Sequence, residues 1–164
     1  MTRDRLIAWL NDAYAMEQGL IQILETHSRR AREVPEISAR AAEHADETRE
    51  QAERLRQCLE MLGTTPSTAK STLSTLMGAV EGASTAIFTD ELMKNMLADY
   101  ASEHFEIAAY TALIRAAEEA GESEIVTLLE ENLREEEQMA QWLFDRIPEA
   151  VLHTMHLPTG TGSR

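Results

Sequence analysis

Four long runs of this chain place an apolar residue at every third or fourth position, the spacing of one helix face, and each run is broken near its middle by an acid. In the first, Leu6, Leu10, Ala13 and Tyr14 lead to Glu17, after which Leu20, Ile21 and Leu24 resume the stripe. The second runs through Ile37, Ala41, Leu55, Cys58, Leu59 and Leu62, and is interrupted by His44, Glu47, Thr48 and Gln51. The third carries Glu103 and Glu106 between Met93, Met96, Tyr100 and Ile107, Tyr110, Leu113. The fourth carries Asn132, Glu135 and Glu136 between Ile125, Leu128, Leu129 and Met139, Leu143, Ile147. Such a chain must bury its stripes against one another, and in doing so it draws carboxylates into its own core.

The breakers Pro35, Gly63, Pro66, Gly78, Gly82, Gly121, Pro148 and Pro158 lie between or beyond these runs. They predict helices over about 4 to 32, 36 to 62, 90 to 119 and 123 to 147, built from the Ala, Glu, Gln, Arg, Leu and Met that favour helix. No segment alternates as a strand does, so the class is all-α, and 164 residues at 43% hydrophobic content suit one domain, residues 1–152. The turns at Val34-Pro35 and Gly121 are short and make two antiparallel hairpins, whereas nearly thirty residues separate Gly63 from Asp90. A connection of that length returns along the whole bundle and leaves the second and third helices parallel. Its apolar block at Leu73, Leu76, Met77 and Val80 predicts a short extra helix on the crossover, and residues 153–164 read as a flexible tail. A faint echo, Tyr14-Ala-Met-Glu17-Gln against Tyr100-Ala-Ser-Glu103-His, suits two matched hairpins.

Counting from the turns sets the level of each acid. Glu17 lies 17 residues before Val34 and Glu47 lies 13 after it, an offset of roughly 6 Å at about 1.5 Å per residue. Glu106 and Glu136 are each 15 residues from Gly121, and Glu103 is 18. The acids therefore converge on one layer. Each buried ion costs several kcal/mol in a domain stable by only about 5 to 15, so the layer has to be neutralised. The inner stripes hold no Lys or Arg, since Arg40, Arg54 and Arg134 fall off the faces. Protonation, water in a loose core, and divalent metal remain, and carboxylates with His44 one turn from Glu47 form the donor set of dimetal sites in bundle cores.

The formal net charge of -14 argues against nucleic-acid binding, which needs cationic side chains to neutralise phosphates. One cysteine, Cys58, allows no internal disulfide, and neither a signal peptide nor a membrane span is visible, so a cytoplasmic location is expected. Tyr14, Tyr100 and Tyr110 lie beside the polar layer, where they could hydrogen-bond ligands or donate electrons, and are expected mainly to pack, while His27, His104, His153 and His156 have no supporting spacing. No nucleophile with a base, phosphate loop or Cys/His zinc pattern is found.

The segments DAYAMEQ, HADETREQAERL from His44, SEHFEIAAY from Ser102 and LREEEQMAQWL from Leu133 resemble, in order and over residues 4–147, the YciE/YciF group of ferritin-like stress proteins. The resemblance implies a ferritin-like four-helix bundle with a dimetal site, found in bacteria under stress and often in dimers. It points to Glu17, His44, Glu47, Glu103 and the Glu135/Glu136 pair as ligands, with Glu106 close by. Ferritin-like enzymes commonly carry Glu-x-x-His on both second helices. Here the order is reversed as His44-x-x-Glu47, and Gln138 or Met139 stands where the other histidine would fall.

Together these features lead us to expect two bound divalent ions, iron first with manganese or zinc as alternatives, that serve Fe(II) oxidation or peroxide consumption in a homodimer. The competing expectation is a non-catalytic metal buffer or structural bundle that acts through a dimer surface or through a partner docked on its tail.

Overall fold

The computed structural model describes residues 2–67 and 90–156. Among them are four helices, α1 (Thr2–Arg30), α2 (Pro35–Met61), α3 (Glu91–Ala120) and α4 (Ser123–His156), and no strand. The ends follow local chemistry. Pro35 starts α2 with a ring-fixed φ and no N–H to satisfy, and Val34 before it supplies no side-chain cap. Asp90 caps α3 by accepting a hydrogen bond from the Met93 backbone N–H at 3.1 Å. The helix stops at Gly121, whose φ of +75° turns the chain so that the Glu122 N–H reaches the Ala117 carbonyl at 3.0 Å.

Cross-links fix the directions. Between α1 and α3, His27 meets Asp99 at 2.6 Å and Arg30 meets Glu91 at 3.2 Å, and Arg3 meets Glu122 in the turn after α3 at 3.9 Å, so these helices are antiparallel. Between α2 and α4, Arg146 donates to Glu36 at 2.9 Å and Gln51 to Glu135 at 3.0 Å, with the same consequence. In the α1–α2 hairpin, Ser28 and Ser38 each donate a hydroxyl to the other's carbonyl, at 2.8 and 2.9 Å. α2 and α3, both antiparallel to α1, run parallel across the diagonal, as the long connection requires. The short helix expected at Leu73 to Val80 lies outside the described residues, as does the tail beyond His156.

Two apolar blocks make up most of the core, with Met16 and Leu20 forming a smaller cluster. At one end Leu6, Leu10, Leu55, Leu59, Leu113, Ile125 and Leu129 pack together, and at the other Ile37, Met93, Met96, Met139, Leu143 and Ala150 do. Between them lies the polar layer. α4 runs to His156 instead of ending near residue 147. Pro148 removes a single helical N–H, on an exposed face, while buried Ala150 and the packed Val151 hold the following turns in place. Residues 153–156 thus belong to the helix, with the Thr154 hydroxyl 3.3 Å from the Asp90 carboxylate. No helix of the described residues is long and apolar enough to cross a membrane.

A Cβ at Gly121 would meet nothing within 4 Å, so the left-handed backbone alone resists substitution there. Gly121→Ala is expected to lower unfolding free energy by about 1 kcal/mol, read by urea denaturation, and Gly121→Asn by less, because asparagine tolerates this conformation.

Candidate metal centre

Each helix contributes to the polar layer through residues one turn apart. α1 brings Glu17, α2 brings His44, Thr48 and Gln51, α3 brings Ser102, Glu103, Glu106 and Tyr110, and α4 brings Asn132 and Glu136, all of them buried. The apolar blocks on either side seal the layer from water. Two groups of donor atoms lie close enough to hold an ion: His44, Glu103 and Glu136 form one, and Glu17, Glu106 and Glu136 the other. Glu136 belongs to both. His44 Nε2 lies 3.2 Å from a Glu103 oxygen and 3.6 Å from a Glu136 oxygen.

The far side of His44 is held from outside the cluster. Its Nδ1 is 2.8 Å from Glu47 Oε2, which also accepts from Arg40 at 2.9 Å. With Nδ1–H donated to Glu47, Nε2 faces the cluster with a lone pair to offer an ion. Glu47 is partly exposed and belongs to neither donor group. Glu135 also stands outside, paired through both oxygens with Arg54 at 2.6 and 2.9 Å and accepting from Gln51. Of the two neighbouring acids, Glu136 is the one that enters the layer. Both arginines lie off the apolar faces, as the sequence indicates, yet their length carries the guanidinium groups to the edge of the layer.

The electrostatics of the protein without metal are those of crowded carboxyls. Burial pushes Glu17 up to about 7, against the lowering effect of the hydrogen bond from Tyr110. Burial also raises Glu106 and Glu136 well above the carboxylate range, with neighbouring acids adding to the effect. For His44, burial opposes the charge, but Glu103 and Glu47 outweigh it and raise the imidazole to about 10. Glu47 sits below its usual value: burial works the other way, but the hydrogen bonds from His44 and Arg40 prevail.

The donor set fits a pair of divalent cations. Glu17 Oε2, Glu103 Oε2, both oxygens of Glu136 and Gln51 Oε1 are buried with no hydrogen-bond partner among the described residues. Four ionised carboxylates, Glu17, Glu103, Glu106 and Glu136, would match the charge of two such ions, with His44 neutral.

Of the residues singled out in the sequence, Glu17, His44, Glu103, Glu106 and Glu136 come together, and Glu47 and Glu135 stand behind them. Three pairings are not fixed by the sequence, although it places Tyr110 where it could hydrogen-bond a ligand. Tyr110 is a hydrogen-bond donor to Glu17 as well as a packing residue, and Asn132 donates to the Tyr110 oxygen at 3.0 Å. His27 pairs with buried Asp99, one turn before Glu103. For the first two a signal existed, since Gln51, Tyr110 and Asn132 all put polar atoms at stripe positions about one turn from an acid. Asp99 gave none.

The sequence matches the family described as "Domain of unknown function (DUF892)" over residues 1–155. A solved structure of protein XCC3681 from Xanthomonas campestris is 37% identical, with 96% of this chain and 100% of that one covered and a TM-score of 0.80. The E. coli stress protein YciF is 26% identical over 93% of this chain and 98% of its own, with a TM-score of 0.81. A bacterioferritin from Desulfovibrio desulfuricans, 20% identical over 99% of this chain and 94% of that one with a TM-score of 0.71, shares the fold. With a ferritin-like bundle and a match along nearly its whole length, this chain belongs to the DUF892 family and is YciF-like.

Proposed function

We propose that this protein binds two divalent metal ions, iron first with manganese or zinc as alternatives, and uses them to oxidise Fe(II) or consume peroxide in bacterial stress defence. The carrying observation is the set of buried carboxylate oxygens on Glu17, Glu103 and Glu136 that have no hydrogen-bond partner among the described residues. His44, Glu103 and Glu136 would hold one ion and Glu17, Glu106 and Glu136 the other, with Glu47 orienting His44 and Glu135 outside. When bound there, two redox-active ions would supply one electron each to dioxygen or peroxide as the oxidant. The chain supplies the rest: a layer closed by apolar blocks, ligands fixed on four rigid helices, and a histidine locked in one tautomer. The related E. coli protein is described as a stress protein, and the Desulfovibrio bacterioferritin as having a diiron site, which supports the reading. A homodimer and a cytoplasmic location belong to the same proposal, and analytical ultracentrifugation tests the first of them.

A non-catalytic metal buffer is the second reading, favoured by the single imidazole in the cluster, with Met139 one turn after Glu136. Anaerobic loading with Fe(II) followed by oxygen separates the two. Two ions per chain and an optical change on oxidation are expected; two ions without turnover would leave the buffer, and fewer than one ion would sink both. Glu136→Gln is expected to abolish uptake at both positions while raising the melting temperature of the metal-free protein, since it removes one of four crowded buried carboxyls. At free metal 100-fold above Kd, the wild type should gain about 2.7 kcal/mol per site, a gain the variant lacks.

The pH dependence has a definite sign. Glu17 at about 7, above its ordinary 4.5, contributes stability that is present below pH 4.5 and lost as pH rises through 7. His44 at about 10, above 6.5, contributes stability present below 6.5 and lost as pH rises through 10. In both cases the native state binds the proton more tightly, so metal-free protein is expected to lose stability from pH 5 to pH 8. Metal competes for the same sites and binds better as they deprotonate, so the loaded protein should show the opposite trend. Thermal melts with and without Mn(II) across that range check both slopes.

A further inference from the structure

A chain of hydrogen bonds connects the edge of the bundle to the candidate metal centre, and its direction follows from the chemistry of one residue. Arg54 can only donate. It donates to Glu135 and, at 2.7 Å, to Asn132 Oδ1. The Asn132 amide is thereby oriented: its Oδ1 faces Arg54, and its Nδ2 must face inward, where it donates to the Tyr110 oxygen at 3.0 Å and to the Gln51 carbonyl at 3.4 Å. Because the Tyr110 oxygen accepts from Asn132, the phenol's own proton points the other way, onto Glu17 Oε1. Glu17 Oε2 is then the oxygen left over, buried and without a hydrogen-bond partner among the described residues. Asn132, Tyr110 and Glu17 are all fully buried, so water does not compete for any of these bonds.

We propose that Arg54 is a positioning residue for the metal centre: by donating into Asn132 it turns the Tyr110 hydroxyl onto Glu17 and presents Glu17 to an ion through a single oxygen. The inference rests on the two-ion reading and assigns to that reading a part for residues outside both donor groups. The chain orients and does not conduct, because neither an amide nor a guanidinium gives up an N–H near neutral pH. Without Arg54 the Asn132 amide is free to flip, the Tyr110 proton can turn to the amide oxygen, and Glu17 loses the bond that holds its Oε1. Only the position built from Glu17, Glu106 and Glu136 should feel the change, since His44 is held separately by Glu47 and Arg40.

The test is a Co(II) titration of the full metal-free chain, followed by calorimetry and visible absorption, with the second binding step assigned by its loss in Glu17→Gln. Arg54→Met and Tyr110→Phe are each expected to weaken that step by about 10- to 100-fold and to leave the first within about threefold. Because both act through one phenol proton, the double variant should be no weaker than Tyr110→Phe alone, whereas independent structural effects would add. Arg54→Lys, which keeps a donor facing Asn132, should recover most of the affinity. Should Arg54→Met not fold by circular dichroism, Asn132→Leu carries the same expectation at similar volume. Wild type binding two Co(II) with Arg54→Met unchanged, or with additive effects, overturns the positioning role and leaves the two-ion reading standing. Wild type binding fewer than one Co(II) overturns both.

Discussion

Four carboxyl groups share a closed layer with one imidazole, and among the described residues no arginine or lysine pairs with them. Everything around them responds to that crowding. Protons are retained on groups that would otherwise be ionised, His44 is pulled toward its charged form, and the apolar core is split into two blocks that seal the layer from either end. An arrangement that held only protons would be a poor use of four helices, because replacing such acids by apolar residues of similar volume is often neutral or stabilising. A cation completing the layer would offset the cost of burying these acids.

The two arginines divide the acids of this region into classes. Arg40 and Arg54 reach in from the sides and neutralise Glu47 and Glu135, which are left as supports. The acids beyond their reach, Glu17, Glu103, Glu106 and Glu136, are left with no guanidinium to neutralise them. The division is a matter of reach more than of residue type, because all six are glutamates. It also gives the centre two unlike positions, one with a nitrogen donor and one with oxygen alone, and the second is the one tied through Tyr110 and Asn132 to the outside.

The parts of this arrangement that could be read in the sequence were those fixed by helical periodicity. An acid in a stripe is visible, and its level follows from its distance to a turn, which is why Glu17, Glu103 and Glu106 were legible along with the diagonal topology set by the long crossover. What depends on rotation about a helix axis was not. Glu135 and Glu136 sit about 100° apart at the edge of the same stripe, and only the packing of Leu129, Met139 and Leu143 decides which of them points inward. Arg54 was hidden for a related reason: a stripe locates the Cβ and says nothing of where a long side chain ends. His27 and Asp99, distant in sequence, meet only after two hairpins have docked. At Pro148 a local rule was outweighed by Ala150 and Val151 packing beyond it.

The ligands are shared unequally between the hairpins. α1 and α2 supply Glu17 and His44, one to each donor group, and α3 and α4 supply Glu103, Glu106 and the common Glu136. No donor group can be completed within a single hairpin. A bound ion would therefore tie together stretches of chain more than fifty residues apart, across a seam where, among the described residues, the hairpins pack mainly α1 against α3 and α2 against α4. An ion held there would couple the two hairpins and resist their separation at that seam. With a single buried cysteine, the chain has no disulfide to perform that stapling.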